Sequence, residues 1–309
     1  MTAASPMTAA APGSVPERVG VVGGGRMGTG IAHAFLMAGS RVAVVERDAA
    51  AADAARDRIL RSVSAGVERG EQRPDPDALV VGTRWEALAG SHLVVEAVPE
   101  LAELKTDALR RAEDLLDPDA VLATNTSSLS IDGLARALRR PGGFVGMHFF
   151  NPVPASALVE VVAGTATAPS AIAAATGWVA AIGKTAIVVR DSPGFASSRL
   201  GVLLGLEAIR MVEDGVGSPE DIDRALELGY RHPVGPLRLT DLVGLDVRLD
   251  IAEYLARELG PRFEAPALLR RMVAEGMLGR KTGRGFYTWP DAGGPAEGGG
   301  ATSAPERPR

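Results

Sequence analysis

His148 and Glu160 are the residues whose types and spacing point most directly to chemistry. His148 stands in Gly-Met-His-Phe-Phe-Asn-Pro and Glu160, twelve residues on, in Leu-Val-Glu-Val-Val; both lie downstream of a glycine-rich turn at 23–28. An imidazole titrates near neutrality, so it takes a proton from an alcohol while a nearby nicotinamide takes the hydride. A carboxylate that accepts the ring N–H fixes the tautomer and stabilises the imidazolium that forms. The pairing therefore implies oxidation of an alcohol or, in reverse, reduction of a carbonyl. A histidine beside a carboxylate also serves as a purely structural pair, and these two residues alone leave both readings open. The other three histidines read as packing or surface residues: His33 mid-helix, His92 at the start of a strand, His232 in a loop beside Pro233.

Positioning such a pair takes a sheet. From Arg18 to about Arg190, short runs of Val, Ile, Leu and Ala alternate with longer amphipathic stretches, the pattern of strand-helix units around a mostly parallel sheet. The spacing predicts strands over 19–22, 41–45, 93–97, 121–123, 144–147, 158–162 and 186–189, and helices over 27–38, ended by Gly39, and 49–70, ended by Gly70 and Pro74-Asp75-Pro76. His148 then ends a strand at the carboxyl side of the sheet, where doubly wound folds bind ligands. If 158–162 pairs beside that strand, Glu160 reaches the imidazole. After Asp191-Ser192-Pro193-Gly194 the β-branched runs give way to helical periodicity over 195–213, 219–228, 236–259 and 265–276. The expected organisation is a leader at 1–16 and a tail at 291–309, both disordered, flanking a Rossmann-type α/β domain at 17–190 and an all-helical domain at 191–290. About a hundred residues of helix make a thin core, and this domain gains most by packing on a second copy of itself, so a homodimer is expected.

Gly23-Gly24-Gly25-Arg26-Met27-Gly28 fits G-x-G-x-x-G, directly after an apolar strand and directly before a helix. Glycine is required at the tight turn, where backbone approaches a pyrophosphate, and where helix packs on strand; the helix N-terminus offers N–H groups to the phosphates. Gly23, Gly25, Arg26, Met27 and Gly28 are thus expected at a dinucleotide. Glu46 closes the second strand about twenty residues later, placed to accept hydrogen bonds from the adenosine ribose and to repel a 2'-phosphate, which favours NAD; Arg47 beside it weakens that preference.

Composition bounds the partners. The chain has 309 residues, 46% hydrophobic and 23% charged, as in soluble globular proteins, and a net charge of -5, which argues against nucleic acid. It has no cysteine, which excludes disulfides, thiolate catalysis and zinc-thiolate sites and fits a cytoplasmic setting. No metal is called for. The uncharged stretch 161–183 is built of Ala, Gly and Thr and interrupted by Pro169, so it reads as a surface helix after a strand and no membrane association is expected.

Six motifs occur in a fixed order: the strand and glycine turn ending at Gly28; Val94-Val95-Glu96-Ala97; Asn125-Thr126-Ser127-Ser128-Leu129; His148-Phe149-Phe150-Asn151-Pro152; Asp191-Ser192-Pro193-Gly194-Phe195; and 279–287, Gly-Arg-Lys-Thr-Gly-Arg-Gly-Phe-Tyr. In that order the chain resembles the L-3-hydroxyacyl-CoA dehydrogenases, from about Arg18 to Trp289. The resemblance implies that His148 is the general base, Glu160 its partner, and Ser127 a donor to the substrate oxygen. It implies further that Asn151, Glu100, Lys105 and Lys281 lie at the cofactor, and that Ser62 and Arg69 on the long helix meet the CoA portion. For Lys105, Ser62, Arg69 and Lys281 a solvated surface reading stands beside the functional one.

One departure concerns the substrate. Where the family carries an asparagine before the Arg-Leu that follows Pro-Gly-Phe, this chain has Ser198, shorter and with one hydroxyl in place of an amide. The resemblance implies NAD-dependent oxidation of a short-chain 3-hydroxyacyl-CoA such as 3-hydroxybutyryl-CoA, as in fatty-acid or polyhydroxyalkanoate metabolism. The alternatives are a hydroxyacyl group on an acyl carrier protein, such as a glyceryl thioester, a free 3-hydroxy acid, and a non-catalytic NAD-binding structural protein. Against the last, such a protein has no need to keep Ser127, His148 and Glu160 together. Asp241 and Asp246 are expected to cap helices or bond across the dimer interface.

Overall fold

The computed structural model describes residues 14–290; the expected tail and all but the last three residues of the expected leader lie outside them. The chain divides after Ala196 into two compact units. In the first, eight strands form one sheet in the order β3-β2-β1-β4-β5-β6-β7-β8: β1 Arg18–Val22, β2 Arg41–Val45, β3 Leu79–Gly82, β4 Leu93–Glu96, β5 Val121–Thr124, β6 Phe144–Phe149, β7 Leu158–Ala163 and β8 Thr185–Arg190. All neighbours are parallel except β6 and β7.

Period-two alternation fills both faces of the sheet. Val19, Val21, Leu93 and Val95 face one apolar core, shared with α1 (Arg26–Met37), α2 (Ala49–Glu68) and the later helix α5 (Pro169–Ala181) through Ile31, Phe35, Ile59 and Trp178. Val22, Val94 and Leu122 face the other, shared with α3 (Ala102–Glu113) and α4 (Ile131–Ala135) through Leu109, Ala112 and Leu134. The sheet is therefore covered on both sides, as a parallel sheet must be. Strand order reverses between β1 and β4, and there the turns following the two strands meet. A Cβ on Gly23 would lie 2.9 Å from the Ala97 carbonyl oxygen.

The helical unit comprises α6 (Ser197–Glu213), α7 (Pro219–Tyr230), α8 (Pro236–Val243), α9 (Leu245–Leu259) and α10 (Ala267–Ala274), packed around Val202, Leu206, Ile209, Leu237, Leu255, Phe263 and Leu269. Three expectations need correction. The single helix over 236–259 is two, because Gly244 takes a φ of 108°, which breaks the helical path. Edge strand β3 and helices α3 and α4 are additional elements: β3 has only four residues, and the others are too short or too polar for periodicity to declare them. Asp241 neither caps a helix nor waits for a second subunit; its carboxylate accepts the amides of Phe286 and Tyr287, both at 2.9 Å, and the Trp289 indole N–H at 2.8 Å, tying down the last described segment. Among the described residues no helix is long and apolar enough to cross a membrane.

Candidate active site

Four parallel strands, β1, β4, β5 and β6, end along one edge of the first unit, and the candidate site is built from the turns that follow them. The turn after β1 is shaped by glycine. A Cβ on Gly28 would stand 1.8 Å from the Gly23 carbonyl oxygen and one on Gly24 would stand 2.5 Å from Ala55 Cβ, whereas one on Gly25 would meet nothing within 4 Å. The turn is thus closed behind and open in front at Gly25. The N–H groups of the first helical turn, from Arg26, Met27 and Gly28, have no intrahelical acceptor. This is a cradle of the size and polarity a pyrophosphate needs, so the residues fit the dinucleotide expected there.

Glu46 Oε1 accepts the Gly24 amide at 2.7 Å and Oε2 the Arg47 amide at 3.1 Å, which holds the carboxylate beside the glycine turn. Arg47 is turned away from it: its Nε donates to Asp48 at 3.0 Å and the side chain is 82% exposed. Arg58, not anticipated from the sequence, reaches from α2 to the Gly24 carbonyl at 2.7 Å.

The turns after β4 and β5 are locked by one carboxylate. Glu100 Oε1 accepts the amides of Ser127 and Ser128 at 2.8 and 3.1 Å and hydroxyls from Thr126, Ser127 and Ser128. Beneath it Lys105, 1% exposed, donates to Glu96 at 2.8 Å and the Val98 carbonyl at 3.2 Å and pairs with Glu100 at 3.2 Å. Thr124 donates to Glu96 at 2.6 Å. Burial alone would raise the Glu100 pKa, but the Lys105 ammonium, the Thr126 hydroxyl and the Ser127 amide outweigh it and hold the carboxyl below its ordinary value. Lys105 was expected to line the cofactor site; its ammonium is instead sealed under these turns and engaged by three oxygens. The buried Glu96–Lys105 pair escaped sequence reading. Its only signal was a glutamate closing an apolar strand with a lysine nine residues on.

His148 occupies the next-to-last position of β6, directly across from Glu160 on β7. Its Nδ1 lies 2.8 Å from Glu160 Oε2, and Glu160 Oε1 accepts the Ala196 amide at 3.1 Å. A carboxylate only accepts, so Nδ1 carries the proton and Nε2 keeps its lone pair. His148 is 7% exposed, and its ring packs on Phe150 and Phe195, with centroids 4.5 and 5.9 Å away. Phe195 adopts a φ of 50°, a left-handed conformation costing a bulky residue about 1–3 kcal/mol. That conformation sits between the ring against His148 and the amide of Ala196 on Glu160. Asn125 Oδ1 accepts the Phe149 amide at 2.9 Å, which ties the β5 turn to the strand carrying His148.

The structure therefore brings Ser127, Glu100, His148 and Glu160 to neighbouring turns and strands of one sheet edge, with Gly23 to Gly28 and Glu46 along the same edge. Asn151, exposed, follows β6 at a cis peptide to Pro152. Ser62 and Arg69 are distant in sequence from these turns: Ser62 lies half-buried on α2, and Arg69, just past its end, pairs with Glu71 at 3.1 Å. Ser198 and Lys281 belong to the helical unit. Lys281 is bound to Asp246 at 2.5 Å, an ion pair that holds the Asp246 carboxyl below its ordinary value despite partial burial.

Residues 18–192 match the family model of the 3-hydroxyacyl-CoA dehydrogenase NAD-binding domain and residues 194–289 that of the C-terminal domain of the same enzymes. A 3-hydroxybutyryl-CoA dehydrogenase of Mycobacterium tuberculosis is 43% identical over 281 residues, covering 88% of this chain and 98% of that protein. A probable 3-hydroxybutyryl-CoA dehydrogenase of Deinococcus radiodurans is 39% identical over 277 residues, 88% of this chain and 100% of its own. The crystal structure of (S)-3-hydroxybutyryl-CoA dehydrogenase from Ralstonia eutropha matches with a TM-score of 0.84 at 37% identity, covering 89% of this chain and 100% of that one. With both domains matched in order over the same residues that form the sheet edge and the helical unit, the chain belongs to the 3-hydroxyacyl-CoA dehydrogenase family.

Proposed function

We propose that the chain catalyses the reversible, NAD-dependent oxidation of a short-chain 3-hydroxyacyl-CoA, such as 3-hydroxybutyryl-CoA, to the 3-ketoacyl thioester. The observation that carries the reading is the His148–Glu160 pair at 2.8 Å, on the strand edge that also bears the glycine cradle. His148 Nε2 accepts the 3-hydroxyl proton, and Glu160, fixed by the Ala196 amide, stabilises the imidazolium; such a base contributes about 10²- to 10⁴-fold. Ser127 is half-buried on a turn fixed by Glu100, and its hydroxyl is assigned to the substrate oxygen. Phe150 and Phe195 exclude water around the ring. NAD, when bound, accepts the C3 hydride. Gly25, Arg26 and Met27 are assigned to its phosphates and Glu46 to its adenosine ribose; the capture of Arg47 by Asp48 favours NAD over NADP. Asn151 is assigned to the nicotinamide end, Ser62 and Arg69 to the CoA portion and Ser198 to the substrate. We place the reaction in the cytoplasm, which the absence of cysteine fits.

Mixing the protein with NAD and 3-hydroxybutyryl-CoA, the same acyl group on a carrier protein, and free 3-hydroxybutyrate tests the reading through NADH absorbance. Fastest turnover of the CoA thioester supports it, and turnover of none of the three overturns it. The carrier-protein thioester is the second reading, favoured by Ser198 in place of the family asparagine.

The proposal includes a homodimer through the helical unit. Leu200 is 60% exposed, and Leu204, Leu242 and Val243 are also exposed, an apolar face that a second copy would cover. A monomeric mass by light scattering would rule it out.

A further inference from the structure

The chain has 33 Lys and Arg residues, and only three of them, Lys105, Lys184 and Lys281, are lysine. Each stands where oxygens close in on a compact ammonium, a place the flat fork of a guanidinium does not fill in the same way. Lys105 and Lys281 meet carboxylates. Lys184 differs: its Nζ donates to two backbone carbonyls, Val153 at 2.6 Å and Ser156 at 2.5 Å, and among the described residues it makes no ion pair.

Both carbonyls belong to the turn 150–157 that joins β6 to β7, and the same turn carries Asn151 and Phe150, whose ring packs on that of His148. The turn is poor in hydrogen bonds of its own. Pro152 and Pro154 have no N–H to give, and the Ala155 and Ser156 amides both go to the Pro152 carbonyl. On one side Val153, 2% exposed, presses against α1, the helix that opens at the glycine cradle; a Cβ on Gly30 would stand 2.8 Å from Val153 Cβ. On the other side stands Lys184. β7 runs antiparallel to β6 and parallel to β8, so the connection from α5 to β8 reaches the edge where β6 ends. Gly183, at a φ of 74°, turns the chain out of α5, the Lys184 amide donates to the Val179 carbonyl at 3.0 Å, and the Thr185 amide to the Ala157 carbonyl at 2.6 Å. The ammonium is therefore presented from a fixed backbone. Two carbonyl oxygens that converge on one point repel each other and are costly to leave without a donor, so the shape of the turn depends on the cation between them.

We infer that Lys184 is a positioning residue for the reaction: by drawing the Val153 and Ser156 carbonyls together it holds the 150–157 turn against α1, and so sets Phe150 on the imidazole and Asn151 at the nicotinamide. The inference rests on the proposed dehydrogenase activity and on the assignment of Asn151. Lys184 exchanges no proton with substrate or cofactor in this role. Its effect falls on the nicotinamide end, where hydride is transferred, and spares the adenosine end, assigned to Glu46 and the glycine cradle after other strands of the same edge.

Lys184→Ala tests this on the full chain, with folding checked by circular dichroism, through oxidation of 3-hydroxybutyryl-CoA by NAD and calorimetric titration with ADP-ribose, which lacks the nicotinamide. The expected result is kcat lowered about tenfold or more, with ADP-ribose affinity within about twofold of wild type. Propylammonium, which replaces the atoms removed, should restore part of kcat, whereas tetramethylammonium at equal ionic strength, having no N–H, should not. Should Lys184→Ala not fold, Lys184→Gln, which keeps an amide donor, carries the same readings. Wild-type kcat in the variant overturns the inference, as does a loss that propylammonium leaves unchanged or one matched by an equal loss of ADP-ribose affinity, the mark of a general structural role. Wild-type activity separates the two failures: where wild type oxidises the thioester, these outcomes strike this inference alone, and where it oxidises none, the proposed function falls first and this inference with it.

Discussion

His148 and Glu160 face each other across the only antiparallel pairing in the sheet, and the register that joins them leaves no tolerance: a slip of one residue would turn Glu160 to the opposite face. The pair tests the proposed base. His148→Gln should lower kcat by about 10²-fold or more while NAD affinity, followed by tryptophan fluorescence, stays near wild type. Glu160→Gln should also be severely slowed, for a different reason. With its oxygen on the Ala196 amide, the new amide points an N–H at Nδ1, which moves the ring proton to Nε2 and removes the lone pair. A Glu160→Gln enzyme with wild-type kcat would show that the carboxylate sets neither tautomer nor charge.

Two glycines of the β1 turn separate shape from binding. Gly28→Ala drives a Cβ into the Gly23 carbonyl, so it should lower the melting temperature and NAD affinity together. Gly25→Ala adds a methyl where the protein has nothing within 4 Å, so the fold should be unchanged while NAD binding weakens, because the added methyl would stand where the proposed site receives the pyrophosphate. Calorimetric titration of both variants against NAD reads the difference. Unaltered NAD affinity in Gly25→Ala would place the pyrophosphate elsewhere.

The sequence announces local devices better than the contacts between them. The glycine turn and the β6 and β7 strands are legible because their signals lie within a few residues: a tight turn between strand and helix, and apolar runs interrupted by one polar residue. The facing of Glu160 and His148 was a conditional inference that only strand pairing could decide. The Glu96–Lys105–Glu100 cluster was hidden because burial decides its meaning, and a lysine on a polar helix such as α3 reads as solvated until the packing is known. Lys184 was invisible for the same reason; nothing in Ile-Gly-Lys-Thr-Ala says which carbonyls its ammonium meets.

Glu100 makes the turn carrying Ser127 sensitive to acid. Its folded pKa lies below the ordinary 4.5, so its contribution is complete above about that pH and is lost as pH falls through the lower folded value, where protonation breaks the contacts to Ser127, Ser128 and Lys105. Glu100→Gln should remove this acid-sensitive component of the unfolding free energy and cost about 1 kcal/mol at neutral pH, a modest figure because the side chain is partly exposed. Denaturant melts at several pH values between neutrality and the acid limit check both. A variant that keeps the wild-type slope below pH 4.5 would assign the acid sensitivity to another carboxyl.

Lys105 and Glu96 give the sharpest stability prediction, because both are essentially removed from water. Lys105→Met leaves the Glu96 carboxylate with Thr124 and the Val98 amide but no cation, and breaking one side of such a pair costs about 3–5 kcal/mol. Glu96→Gln combined with Lys105→Met removes both charges and should recover much of that loss, since the amide oxygen still accepts from Val98 and the new NH2 can donate to the Thr124 hydroxyl. Chemical denaturation of the wild type, the two single variants and the double variant measures the coupling. The same series reports on the site above: in the double variant Glu100 loses its ammonium partner, so the Ser127 turn should loosen and KM for the thioester should rise even where stability returns. Recovery of stability together with an unchanged KM would show that Lys105 serves the core alone.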